Sequence, residues 1–180
     1  MKHVGTHDIE TPRLLLRRFT VEDAPAMFQN WARDPDVSRW MRWTPHVSVS
    51  ETRAIIRGWV RDYPNPDCYH WALQRKADGV LMGSLGIMRS IEDHGPDAFE
   101  PGYCIGKAFW GNGYTTEALA AAVQWFMAST GAAAMYCCHA VQNPASGRVM
   151  QKAGFVYTHD GFYDKPGGAR VPAKFYELRK

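Results

Sequence analysis

Trp110-Gly111-Asn112-Gly113-Tyr114-Thr115-Thr116-Glu117 sets two glycines between a strand-like run and a strongly helical one. Glycine takes φ > 0 without steric cost and lets the backbone approach a ligand closely. The first N–H groups of a helix have no intrahelical partner and sit at the positive end of its dipole. The stretch therefore offers a site for an anion such as phosphate. Asn112-Gly113 also suits a two-residue hairpin turn. The downstream residues oppose a second strand: Thr116 to Ala128 is alanine-rich without glycine or proline, and Leu119, Val123 and Phe126 recur at helical spacing. Gly131 stands where a helix should end. Short glycine motifs also arise by chance, so the rest of the chain has to decide.

Outward from the loop, Phe99 to Ile105 reads as the strand before it and Ala133 to Val141 as the strand after its helix. A strand, crossover helix and strand of this kind should run parallel and right-handed. Asn143-Pro144 then starts a helix, asparagine as cap and proline at the first position, ending at Gly154. Phe155-Val156-Tyr157 and Val171 to Leu178 supply the last strands across Pro166-Gly167-Gly168. Toward the other end, residues 1–10 are polar and read as flexible, and Arg13 to Phe19 is the first strand. Thr20 caps a helix reaching about Trp31, and Ser50-Glu51 begins another with Ile55, Ile56 and Trp59 on its apolar face. Tyr69, Trp71 and Leu73 alternate with small or polar residues, and Ala77-Asp78-Gly79 turns that strand into Val80 to Met88. The expectation is one mixed α/β domain over residues 1–180, with antiparallel pairing at the centre of its sheet.

Composition narrows the function. A chain of 180 residues, 46% hydrophobic, buries a single core. Its formal charge of +3 is dispersed, too small to call for nucleic acid yet compatible with an anionic cofactor. Cys68, Cys104, Cys137 and Cys138 show no C-x-x-C spacing, and neighbours such as Cys137 and Cys138 point to opposite faces of a strand. Free thiols, no signal peptide and no membrane-length apolar run lead to the expectation of a cytoplasmic protein without membrane attachment. The seven histidines lack metal-ligand spacing, so no metal is expected.

Several blocks together resemble the GNAT acetyltransferase superfamily, in particular its RimJ/RimL-like branch. They are Thr11-Pro12-Arg13-Leu14-Leu15-Leu16-Arg17 with Glu22-Asp23, Leu81-Met82-Gly83-Ser84-Leu85-Gly86, and Gly102-Tyr103-Cys104-Ile105. The glycine loop itself, Asn143-Pro144-Ala145-Ser146 and Lys152-Ala153-Gly154-Phe155 complete the set. Two positions depart from the pattern: Trp110 stands where Gln or Arg often precedes the glycines, and Thr115 where Gly or Ala usually comes next. Since backbone amides bind in such loops, neither change removes the site.

The resemblance implies a GNAT fold, a mostly antiparallel sheet of about seven strands splayed between the fourth and fifth. It implies acetyl-coenzyme A as co-substrate and no metal. The pyrophosphate would lie on the amides of Gly111, Asn112, Gly113, Tyr114, Thr115 and Thr116, and the pantetheine arm along Cys104 and Ile105, with Asn143 and Ser146 as further cofactor contacts. Asn143 reads first as a plain helix cap, a role that does not exclude cofactor contact. A neutral primary amine, on a protein N-terminus or a small molecule, would attack the thioester directly. An α-amine with a pKa near 8 needs less help than a lysine, and a thiolate leaves readily, so a general base matters more than an acid. Glu100 is the candidate base and Ser146 the second catalytic candidate; both have plain structural readings, as a solvated carboxylate and a first-turn helix residue. Trp40 and Trp43 fall where the family builds its acceptor pocket, or serve as core or dimer contacts. A coenzyme-A-binding sensor with little turnover and a generic nucleotide-binding domain are the competing readings. The latter lacks the acidic ribose-binding residue, because no Asp or Glu follows Glu117 until Asp160. The protein is expected to be a monomer or homodimer.

Overall fold

A computed structural model describes residues 1–180. Eight strands form two sheets. In the larger, β1 (Ile9–Glu10), β2 (Leu14–Arg17), β3 (Tyr69–Arg75), β4 (Leu81–Arg89) and β5 (Phe99–Ile105) lie side by side in that order, all antiparallel. In the smaller, β8 (Arg170–Arg179) lies between β6 (Ala134–Ala140) and β7 (Val156–Asp164). The helices are α1 (Ala24–Met27), α2 (Pro35–Ser38), α3 (Val49–Asp62), α4 (Tyr114–Thr130) and α5 (Pro144–Lys152). None is long and apolar enough to cross a membrane.

The larger sheet is buried on both faces. Leu14, Leu16, Trp71, Leu73 and Leu85 pack on one side against Leu119, Val123 and Phe126 of α4. On the other side Ala72, Leu81 and Cys104 meet Phe19, Met27, Trp31 and Ile56 from the α1 and α3 layer. Gly83 is obligatory here, since a Cβ would stand 2.2 Å from the Cys104 carbonyl oxygen.

Four features differ from the sequence-based expectation. β1 lies within the polar opening read as flexible: Gly5 N–H donates to Pro66 O and the buried Thr6 hydroxyl to Cys68 O at 2.8 Å. Backbone and hydroxyl bonds hold that segment, and an apolar-periodicity reading does not register them. The helix before Trp31 passes from a 3₁₀ turn at Val21–Asp23 through α1 into a π-turn over Phe28–Ala32. The helix placed at Ser50 starts earlier, because the Ser48 hydroxyl caps it by accepting from Glu51 N–H at 3.1 Å. Most consequential, β5 and β6 share no ladder at all, whereas pairing followed by splaying was expected. Pro101, in the middle of β5, lacks the N–H that a ladder toward β6 would use there.

His70 on β3 stacks on Trp59, ring centroids 3.9 Å apart, and its Nε2 is buried without a partner. Burial pulls its pKa from 6.5 down to about 4. The folded state therefore binds fewer protons than the unfolded chain between those values. Its contribution is fully present above pH 6.5 and falls as pH drops toward 4, at about 1.4 kcal/mol per pH unit and up to about 3 kcal/mol in all. Urea melts on either side of that window should show His70→Phe losing less stability on acidification than wild type. Parallel losses would contradict the assignment.

Candidate active site

The glycine loop follows directly from the end of β5. Gly106 N–H is fixed to Met82 O at 2.8 Å, a 3₁₀ turn spans Lys107–Phe109, and the Trp110 indole N–H donates to Ile105 O at 2.8 Å. Trp110, one of the two departures from the family pattern, thus pins the loop to the strand it leaves. Gly111 and Gly113 take φ of +78° and +77°, the left-handed region that only glycine enters without strain. The Asn112 side chain donates back to Phe109 O and Trp110 O, tying the turn.

The loop's amides are free. Gly113 is the N-cap of α4, and the first helical closure is Glu117 N–H to Gly113 O at 3.1 Å. Tyr114, Thr115 and Thr116 therefore donate to nothing in the chain, and neither do the amides of Gly111, Asn112 and Gly113. Six unpaired donors thus lie in the loop and first turn at a helix N-terminus, where an anion is favoured. Arg13 braces them from below, donating to Asn112 O at 2.9 Å and to Glu117 at 2.6 Å, with its guanidinium 4.4 Å from the Tyr114 ring centre. Burial alone would raise the Glu117 pKa, but hydrogen bonds from Thr11 and Arg13 outweigh it and hold the carboxyl below its usual range. Arg13 and Glu117 were both quoted in the family blocks; their pairing across 104 positions has no local sequence signal.

Strand alternation defines the cleft. Gly106 N–H and Ala98 O both bond toward β4, so even-numbered backbone groups of β5 face β4 and odd-numbered ones face β6. On the β6 side, Pro101 O accepts from the Cys137 thiol at 3.4 Å and Ile105 O from Trp110. The N–H and C=O of Tyr103 and the N–H of Ile105 have no partner. Ile105 thus turns an unpaired N–H toward the gap between β5 and β6. Cys104 does not: its backbone turns to Ser84 on β4, and its thiol, 3.3 Å from the Ser84 hydroxyl, is buried toward α1.

Two hydroxyls bridge the cleft on its α4–α5 face. Tyr103 Oη lies 2.9 Å from Ser146 Oγ and 3.3 Å from Ser146 O, and burial pushes the phenol pKa well up, so it keeps its proton. Asn143 caps α5, its Oδ1 accepting from Ser146 N–H at 3.4 Å, which leaves its amide N–H groups free. The capping reading of Asn143 is therefore realised.

The opposite face carries the carboxylate. Glu100 is 5% exposed; Oε1 accepts from Arg42 Nη1 at 2.6 Å and Oε2 from Ile91 N–H at 3.2 Å. It is not a solvated surface carboxylate. Burial works against the Arg42 charge, but Glu100 outweighs it and raises the guanidinium pKa. Cys138 shares this face and Cys137 the other, as strand alternation requires. Burial pushes the thiols of Cys138 and Cys104 up to about 11, which makes both poor nucleophiles. Trp40 packs on the β6–β8 face beside Tyr163, whose hydroxyl donates to Trp40 O at 2.8 Å. Trp43 packs instead toward the α1–α3 core, near His46. Sequence reasoning did not pair Arg42 with Glu100 and gave the Tyr103 hydroxyl no role.

Unpaired amides leading into a cleft between β5 and β6, with a buried carboxylate on one face and paired hydroxyls on the other, suit a group-transfer enzyme. Residues 13–156 match the acetyltransferase (GNAT) domain, and the chain belongs to that family. It is 27% identical over 147 residues to the uncharacterized N-acetyltransferase YoaA of Bacillus subtilis, covering 82% of this chain and 81% of that one. The fold superimposes on the ribosomal-protein-S5-alanine acetyltransferase of Vibrio fischeri with a TM-score of 0.81, at 15% identity over 96% of each chain. It also superimposes on RimL, the ribosomal L7/L12 alpha-N-protein acetyltransferase, in complex with coenzyme A. That TM-score is 0.79, at 20% identity over 96% of this chain and 98% of the other. The GNAT resemblance read from the sequence is thereby confirmed.

Proposed function

We propose that the protein transfers an acetyl group from acetyl-coenzyme A to a primary amine, on a protein N-terminus or a small molecule, by direct attack on the thioester. The observation that carries this reading is the division of the cleft: a carboxylate on one face, hydroxyls on the other, unpaired amides between. The six loop amides, Gly111 to Thr116, suit the pyrophosphate. Tyr103 N–H, Tyr103 C=O and Ile105 N–H suit the amide-rich pantetheine arm, and bring a donor to the oxygen on which charge develops. Glu100 takes a proton from the attacking amine, directly or through water. The Tyr103 and Ser146 hydroxyls donate to the departing thiolate from the other face. With the nearby thiols at about 11, acetyl need not pass through a cysteine.

A screen of primary amines and peptides with acetyl-coenzyme A, read by thiol release, tests the proposal. Turnover dependent on both substrates is the expected result. Calorimetric binding of coenzyme A without acetylation of any amine would favour the sensor reading instead.

A further inference from the structure

Glu100 is held by two donors of unequal stiffness. Ile91 N–H, on Oε2 at 3.2 Å, belongs to the loop between β4 and β5, and that loop is tied to the smaller sheet. The Glu92 carboxylate lies 3.1 Å from His94 Nε2 and 2.9 Å from Nε2 of His159 on β7. The His94 ring stacks on Tyr136 of β6, centres 3.8 Å apart. Arg42, on Oε1 at 2.6 Å, stands instead on a segment without regular structure. Between Met41 N–H, bonded to Ser38 O, and His46 N–H, bonded to Ala32 O, the backbone of residues 42–45 makes no hydrogen bond.

The Arg42 side chain is 35% exposed against 7% for Glu100, so it is the outer member of the pair. It also reaches β6, with Nη2 3.7 Å from Cys138 Sγ, and its guanidinium rests 5.6 Å from the Tyr163 ring centre. Arg42 therefore spans the β5–β6 gap on the Glu100 face. In this state Glu100 is poorly placed to take a proton. Oε1 is turned to a guanidinium that only donates, so a proton delivered there has to displace the bond already made. Removing the guanidinium outright would strand a buried charge, whereas exchanging it for another cation does not. A primary amine supplies that cation, since an α-amine titrates near pH 8 and arrives at neutral pH mostly as its ammonium.

We infer that Arg42 is a placeholder cation: the acceptor's ammonium takes its place on Glu100 Oε1, and the guanidinium swings out toward solvent beside Tyr163. This rests on the acetyl-transfer reading. Ile91 N–H keeps the carboxylate aimed during the exchange. One ammonium proton then passes to Oε1, and the neutral amine attacks. Without an acceptor the pair stays closed, and water finds no free carboxylate oxygen to activate it. Arg42 is thus a positioning residue that acts through Glu100.

Two measurements test this. The first needs no acceptor and follows hydrolysis of acetyl-coenzyme A, in which water adds to the thioester carbon, Glu100 takes its proton, and the C–S bond breaks to give acetate and the coenzyme A thiol. Arg42→Met should raise that rate about tenfold, short of the roughly 10²–10⁴-fold that a base supplies to a positioned substrate. Arg42→Lys should raise it less, and adding Glu100→Gln to Arg42→Met should abolish the rise. An arginine that merely props the site would give no gain in any variant. The second measurement uses wild-type protein saturated with coenzyme A and follows the side-chain nitrogen NMR signal of Arg42, assigned through its absence from Arg42→Lys. Ethylammonium chloride should move that signal toward the position of a free guanidinium, and sodium chloride of equal ionic strength should not. No rise in an Arg42→Met protein that still binds coenzyme A, a rise that survives Glu100→Gln, or a signal that ethylammonium leaves in place would overturn the inference. Acetylation of amines is read separately. Release of Arg42 by ethylammonium without acetylation of any amine would sink the transfer reading alone, and acetylation with Arg42 still locked the exchange alone.

Discussion

Glu100→Gln should lower kcat by about 10²–10⁴-fold, the usual span for losing a positioned general base, while the KM for acetyl-coenzyme A stays near the wild-type value. The side chain is isosteric, but its single oxygen can accept from Arg42 or from Ile91 N–H and not from both, so one of the two bonds is lost while the shape of the site is kept. The amide cradle is reached from β5 in the other direction and does not touch Glu100. The loss should be greatest where the acceptor amine is mostly protonated, and should shrink above about pH 8, where an α-amine sheds its own proton. A wild-type to variant ratio that stays flat across pH would remove Glu100 from the role of base. The thermal midpoint is the companion measurement: it should fall by no more than the loss of one buried hydrogen bond, about 1–3 kcal/mol, whereas a collapse of the site around Arg42 would lower it further and mimic a catalytic defect.

Gly113→Val should weaken coenzyme A binding by about 10³-fold, read by calorimetry. Space is not the obstacle: an added Cβ would meet only Arg13 Nη2, at 3.6 Å. The backbone is the obstacle. A β-branched residue at φ +77° costs about 1–3 kcal/mol, and relieving that strain turns the helix-end amides away from a common centre. Each charge-assisted bond lost adds about 1.5–3 kcal/mol. The core residues of α4, Leu119 onward, lie beyond the first turn, so the far-UV spectrum should change little and the denaturant midpoint should fall only by the strain that local relaxation leaves, at most about 1–3 kcal/mol. Unchanged affinity would remove the phosphate-cradle assignment.

The features legible in sequence were those written locally. Gly113, the run to Thr130 and Gly131 mark α4, and alternation from Tyr69 marks β3. The donor loop was legible for the same reason, because a helix start and its two positive-φ glycines are adjacent in the chain. The acceptor face was not. Arg42 meets Glu100 across 58 positions, and Tyr103 meets Ser146 across 43; neither pair leaves a mark in its own neighbourhood. α2, four residues long, was missed because one turn carries no periodicity, yet it sets the position of Arg39 to Trp43. The absence of a β5–β6 ladder has one local mark, Pro101, whose missing N–H is read as consequential only once the neighbour of that strand is known.

Splitting one sheet into two creates four exposed strand borders instead of two, and each is a place where another chain could add itself by backbone pairing. β1 is only two residues long and offers little purchase. The inner borders of β5 and β6 face each other, joined by the Cys137 thiol to Pro101 O and flanked by the Tyr103–Ser146 bridge from β5 to α5, so the protein turns toward its own cleft the unpaired groups that it keeps open for a ligand. Only β7, nine residues long and mostly solvent-facing, is left as a full-length outer border, and it is there that self-association of this chain would have to begin.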